Sequence, residues 1–230
     1  DVPIGYGSDT GVGGELRGNY PTFNPLAKGP NFPAPTNGNL QVGDGTSGNY
    51  HQSIGSTAAV SSGKWYWEIA LNGTTYNSRS IGIAFASELA TAGDNALWDS
   101  ASATKNYRAI LLINSTTVKP CKSVAGTVSS ASNITLPSTL TGSSVFMVAM
   151  DIGAGAIWFG LDGTWLKSAT TAEIIAGTTT NAVYADISAP TQPWTPAVYR
   201  YCNGTDYGWI ANFGQRAFSY TAPSGYKCLC

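Results

Sequence analysis

Charge is scarce in this chain. Asp, Glu, Lys and Arg make up 11% of its 230 residues, where about 25% is usual for a globular domain. Twelve basic and thirteen acidic residues leave a net charge of −1. No basic stripe runs along the sequence, so the phosphate-neutralising contribution on which nucleic-acid binding depends is missing. No apolar run approaches the ~20 residues needed to cross a bilayer as a helix, so neither nucleic acid nor membrane insertion is expected. Histidine occurs once, as His51, and no C-x-x-C pair is present, which argues against a structural zinc site. A Ser-His-Asp triad has only His51 as its base, and no G-x-S-x-G elbow presents a serine. Glycoside hydrolysis needs two carboxyl groups a few ångströms apart, yet Glu68 is the lone carboxylate of its segment, and Asp151 and Asp162 flank a hairpin without alternate spacing. Gly11-Val12-Gly13-Gly14 lacks the strand and helix that would make it a phosphate loop. No catalytic residues, metal site or cofactor are therefore expected, although a calcium held by scattered Asp and Asn stays open.

Helical periodicity is nearly absent too, apart from one short turn within Ser87–Leu97. What is plentiful is aromatic residues and glycine: Trp 7, Tyr 12, Phe 7 and Gly 27. Short β-rich runs alternate with Gly, Ser, Thr, Asn and Pro clusters, the pattern of an antiparallel sandwich or barrel. Trp65–Leu71, Ser80–Ala86 and Tyr107–Ile113 read as strands, and Gly82 within the second marks a close backbone approach or a bulge. Val145–Ile152 and Ala156–Gly160 flank Gly153-Ala154-Gly155 and predict a hairpin. Asp162-Gly163 gives a further tight turn. Residues 1–18 read as a Gly-rich linker or arm, with Asp1-Val2-Pro3 an internal start, and residues 19–230 as one β-sandwich domain. Ser168–Pro193 reads as a long connection without period, a length often associated with function.

Four cysteines, Cys121, Cys202, Cys228 and Cys230, allow three pairings or four thiols, and sequence does not choose. A bond between Cys228 and Cys230 would be strained.

Several motifs occur in a telling order. Val60-Ser61-Ser62-Gly63-Lys64-Trp65-Tyr66-Trp67-Glu68 is followed by Ile81-Gly82-Ile83, then by Asp151, Trp158-Phe159 and Asp162-Gly163, then by Pro196-Ala197-Val198. Last come Asn212-Phe213-Gly214-Gln215-Arg216-Ala217-Phe218, Tyr220, and Pro223 with Gly225-Tyr226. This series resembles SPRY domains, and its final segment resembles the SPRY versions found in bacteriophage tail, fibre and related virion proteins. Asn19–Leu26 and Asn37-Gly38-Asn39-Leu40 resemble the lead-in of those versions. The resemblance covers residues 19–230 and departs from the family in residues 115–141 and 167–193. It implies an all-β fold, a two-sheet antiparallel β-sandwich of the SPRY or concanavalin A-like jelly-roll type. It also implies a non-catalytic binding or structural module on a virion surface or outside the cell, meeting a host-surface glycan or protein, or other fibre subunits, possible homo-oligomers included.

Ligand contacts are expected in edge loops where aromatics stand beside amides and carboxylates. Tyr201, Asn203 and Asp206 lead, because they follow the Pro196-Ala197-Val198 strand where SPRY proteins contact ligands; His51, Tyr76 and Trp98 come next. Tyr184-Asp186 shows the same pairing. Two other classes compete: a self-assembling virion protein without ligand, and a carbohydrate-active enzyme on a concanavalin-like fold.

Overall fold

The structure is a computed structural model and describes residues 20–30, 32–43, 50–73, 79–90, 105–202 and 208–229, of which Tyr50, His51, Ala90, Tyr201 and Cys202 are described by backbone alone. In chain order the strands are β1 (Phe23–Lys28), β2 (Gln41–Val42), β3 (Tyr50–Ser56), β4 (Lys64–Asn72), β5 (Arg79–Phe85), β6 (Tyr107–Asn114), β7 (Thr117–Val124), β8 (Thr127–Ser130), β9 (Ile134–Thr135), β10 (Val145–Asp151), β11 (Ala156–Leu161), β12 (Thr164–Trp165), β13 (Trp194–Cys202) and β14 (Gly208–Asn212). Helices α1 (Ala86–Ala90) and α2 (Thr171–Ala176) are short.

Two antiparallel sheets form the sandwich. One runs β1-β3-β13-β5-β6-β7-β8, with β9 beside β8 on β7; the other runs β12-β11-β10-β4-β14-β2. Alternation along the strands builds the core between them. Trp67, Ile69 and Leu71 of β4 meet Phe146, Val148 and Met150 of β10 and Ile81, Ile83 and Phe85 of β5 in one buried cluster. Burying each such side chain stabilises the fold by roughly 1.5–3 kcal/mol.

The alternate residues of β4 are buried as well. Tyr66 and Glu68 lie on the outer face of the second sheet, where Trp158, Ile174 of α2 and Tyr226 pack beside Tyr66. Both faces of the Trp65–Glu68 run are therefore used, with Trp65 packed only at the core's margin. Phe213 is in the core, edge-on to Phe23, and Gly214 follows at φ +123, where a Cβ would strike Cys228 and Tyr20.

The connection over Ser168–Pro193 is firmly fixed. Thr170 caps α2 by accepting from Glu173 N, and the Glu173 carboxylate accepts from Thr170 N. Tyr184 then enters the core, its hydroxyl donating to Ala109 O (2.6 Å) and Cys121 O (2.8 Å). Asp186 accepts from Arg108 Nε (2.8 Å) and Lys122 Nζ (2.7 Å), while the Arg108 guanidinium stacks on Trp194. These contacts tie the connection to the first sheet: Tyr184, expected to meet a ligand, turns inward, while Asp186 stays at the surface, held by Arg108 and Lys122.

Cys121 and Cys228 are both buried. Cys121 belongs to a cluster on the outer face of the first sheet, with Ala109 and Tyr199; Cys228 lies against Gly214. The Cys202 side chain and Cys230 fall outside the described residues.

Candidate functional site

Strand ends at one end of the sandwich flank most of the residues singled out above. In the first sheet, antiparallel register places Tyr201 opposite His51 and Cys202 opposite Tyr50 on β13 and β3, and Arg200 opposite both Gln52 and Arg79. In the second sheet, Gly208 stands opposite Asn72. The segments 44–49, 74–78 and 203–207 therefore join strand ends that share one end of the fold, and they carry Tyr76, Asn203 and Asp206. The segment with Trp98 instead joins α1 to β6 and starts and finishes at the opposite end, where Ala84 faces Tyr107. Tyr76, Trp98, Asn203 and Asp206, and the side chains of His51 and Tyr201, lie outside the described residues.

Beneath this end are two buried arginines on neighbouring strands, Arg79 at 3% and Arg200 at 2% exposure. Arg79 Nη1 donates to Gly208 O (3.3 Å), and its guanidinium lies 5.7 Å from the Trp209 ring. Arg200 Nη1 donates to Gly43 O. Trp209 Nε1 completes the layer by donating to Tyr199 O (3.1 Å). Gly43 is the residue before segment 44–49, and Gly208 the residue after segment 203–207. The two guanidiniums thus hold the roots of two connections to a rigid floor. A buried cation persists only where acceptors and stacking offset its lost hydration. Sequence reading passed over Arg79; the available signal was an isolated arginine at the start of an otherwise small and apolar strand.

Two shallow hollows lie elsewhere. The first, about 260 Å³, is lined by Glu68, Ala70, Val145, Ile210, Arg216 and Ser219 among others. Its carboxylate is fully engaged: Glu68 Oε1 accepts from Tyr66 Oη (3.1 Å) and Tyr220 N (2.8 Å), and Oε2 from Ser219 N (2.8 Å). Burial, then the neighbouring Glu68 carboxylate, pushes the Tyr66 phenol far above its ordinary value. Arg216 donates to Ala211 O (3.3 Å), and Asp151 pairs with Lys64 (3.1 Å). Glu68 is the single acid among the described residues that line this hollow. The second hollow, also about 260 Å³, lies between β9 and β12 and includes Thr135, Trp165 and Lys167. Among the described residues, no three His, Cys, Asp or Glu side chains are grouped to hold a metal ion.

Two solved SPRY domains share this architecture. The SPRY domain of human HERC1 superposes with a TM-score of 0.53 at 15% identity, covering 83% of this chain and 96% of that one. The fold is of the SPRY type. The SPRY-type sandwich of TRIM65 gives 0.50 at 14% identity, over 84% and 91% of the two chains, and the carbohydrate-binding module CBM66 from Bacillus subtilis gives 0.45 at 12% identity, over 84% and 94%. A scan with protein-family models and a search of curated protein sequences find no match. At such identities, what the SPRY domains share with this chain is the sandwich alone.

Proposed function

We propose that this chain is a non-catalytic binding module of a phage tail fibre or other virion surface protein, which recognises a host-surface glycan or protein through segments 44–49, 74–78 and 203–207. The observation that carries the reading is that the strand ends joined by those three segments share one end of the sandwich, beside a floor made by Arg79, Arg200 and Trp209. Loops on a rigid scaffold are the usual carriers of recognition. The ordered SPRY motifs, whose last segment resembles phage versions, support the virion setting. Low charge overall, 11% of residues, favours sugars and uncharged peptide segments as ligands. Among the described residues, the carboxylates of Asp151, Asp162, Glu68, Glu88, Glu173 and Asp186 all hold internal hydrogen bonds or ion pairs.

The test is binding of the purified chain to a glycan array and to host cells, with wild type compared against the Tyr201→Ala, Asn203→Ala, Asp206→Ala triple variant. Saturable binding that the folded variant loses supports the reading. Binding retained by the variant removes this end of the sandwich from consideration. A folded wild type that binds nothing moves the assignment to a structural virion protein.

A further inference from the structure

The four sheet edges are not alike. In the second sheet the edges β12 and β2 are two residues long each, too short to template another strand. In the first sheet, edge β1 is broken: Phe23 faces Ser56 and Lys28 faces Ile54, so six residues lie along three. Pro25 there has no N–H to offer, Leu26 N turns to Asn24 Oδ1, and Lys28 adds a charge. Short length, bulges, proline and lysine are the devices by which natural sheets prevent edge pairing.

The remaining edge has almost none of them. β8 pairs with β7 in unbroken register, from Val124↔Thr127 to Cys121↔Ser130, and among the described residues no strand pairs with its other side. Thr127, Ser129 and Ser130 are exposed. No proline lies in the strand, and no charged residue occurs anywhere between Lys122 and Asp151. At the turn leading into β8, Val124 is one of three large apolar side chains markedly exposed among the described residues.

We infer that β8 is an association edge for a second copy of this chain, pairing antiparallel with its own equivalent across a twofold axis. Self-pairing follows from the asymmetry of the edges. With β1, β2 and β12 blunted, β8 is the one open edge among the described strands, so β8 of one copy meets β8 of another, which closes a dimer; pairing of β8 with β1 would propagate a filament. The absence of charge matters as well, since like charges placed directly opposite in a strand pair are destabilising, and this edge meets its own copy without that cost. Four strand residues bury less than the ~800 Å² per partner of a standard stable interface, so the dimer dissociates on dilution.

Sedimentation velocity across a wide concentration range tests this on the full chain. Wild type is expected to shift from monomer to dimer as concentration rises, with no larger species. The Thr127→Lys/Ser130→Lys variant, altered only at exposed positions, is expected to stay monomeric with an unchanged melting temperature. Leu26→Lys, on the opposite edge, is expected to dimerise like wild type. Should the double variant fail to fold, hydrogen exchange on wild type decides: β8 amides gain protection at high concentration. A wild type monomeric throughout, open-ended polymers, a dimer indifferent to the lysines at β8 or one abolished by Leu26→Lys would each overturn the inference.

Discussion

Tyr184 shows how much a single hydroxyl contributes in this fold. It donates to two backbone carbonyls on adjacent strands, Ala109 and Cys121, and burial lifts its pKa far above the ordinary value, so it stays a donor at any working pH. Tyr184→Phe keeps the ring and removes the donor. The expected loss is about 1–2 kcal/mol, read from urea denaturation, with no change in fold. Two residues on, burial alone would raise the Asp186 carboxyl, but the hydrogen bonds and charges of Arg108 and Lys122 together hold it below its usual value. A depressed carboxyl contributes stability that is fully present above its unfolded pKa of about 3.9 and fades as pH falls through the lower, folded value. Wild type is therefore expected to lose melting temperature on acidification below about pH 4. Asp186→Asn should start lower at neutral pH and show a shallower acid decline. An identical acid profile in the two proteins would remove the Arg108–Asp186–Lys122 network as the cause. Glu68 was legible in sequence as the one carboxylate of its strand. Its task was not, because Ser219 and Tyr220, whose amides it accepts, lie some 150 positions away.

At the level of elements, the strands with strong alternation were the readable ones. The close approach expected at Gly82 is present: a Cβ there would run into the backbone of Arg108 and Ala109 on β6. Gly82→Ala is expected to cost about 3 kcal/mol or to prevent folding, by forcing β5 and β6 apart; thermal melts and expression of soluble protein report it. The Asp162-Gly163 turn is likewise as expected, with φ 47 and 89 across a hairpin that pairs Leu161 with Thr164, the left-handed pair that such two-residue turns need. Helix α2 escaped notice although its signal was there. Thr170 and Glu173 form the S/T-x-x-E capping box, and Gly177 ends the helix at φ 71. Six residues are too few to display a helical period, which hid it. Thr170→Ala should cost about 1 kcal/mol, measured in the same denaturation assay. Strands β7 to β9 were missed for another reason. Lys119, Lys122 and a run of exposed hydroxyl residues blur the alternation at a sheet margin, where one side of each strand meets solvent.

For the whole molecule, the sandwich was legible from ordered motifs, because those motifs are the packing residues of the two sheets. The candidate end was legible only as chain segments. Which segments come together depends on strand order, and β3, β13 and β5 are neighbours although they lie far apart in sequence. That order also sets the elements flanking the Trp98 segment at the end opposite to the strand ends flanking the other five residues. A further expectation belongs at this scale. Since the described carboxylates are largely held internally, ligand binding should change by no more than about twofold between low and physiological salt; a steep salt dependence, measured by titration on the array ligand, would point to an acidic partner instead.

The arginine floor has a consequence for descent and for engineering. Arg79 and Arg200 grip backbone carbonyls at Gly208 and Gly43, and a carbonyl is the same atom whatever side chain accompanies it. The stretches beyond those two anchors can therefore be exchanged, lengthened or shortened without disturbing the hold at their bases. On the proposed reading such an end would work as a socket with interchangeable fittings, and chimeras that swap residues 44–49 and 203–207 between related chains are expected to keep the parent's melting temperature while taking the donor's specificity.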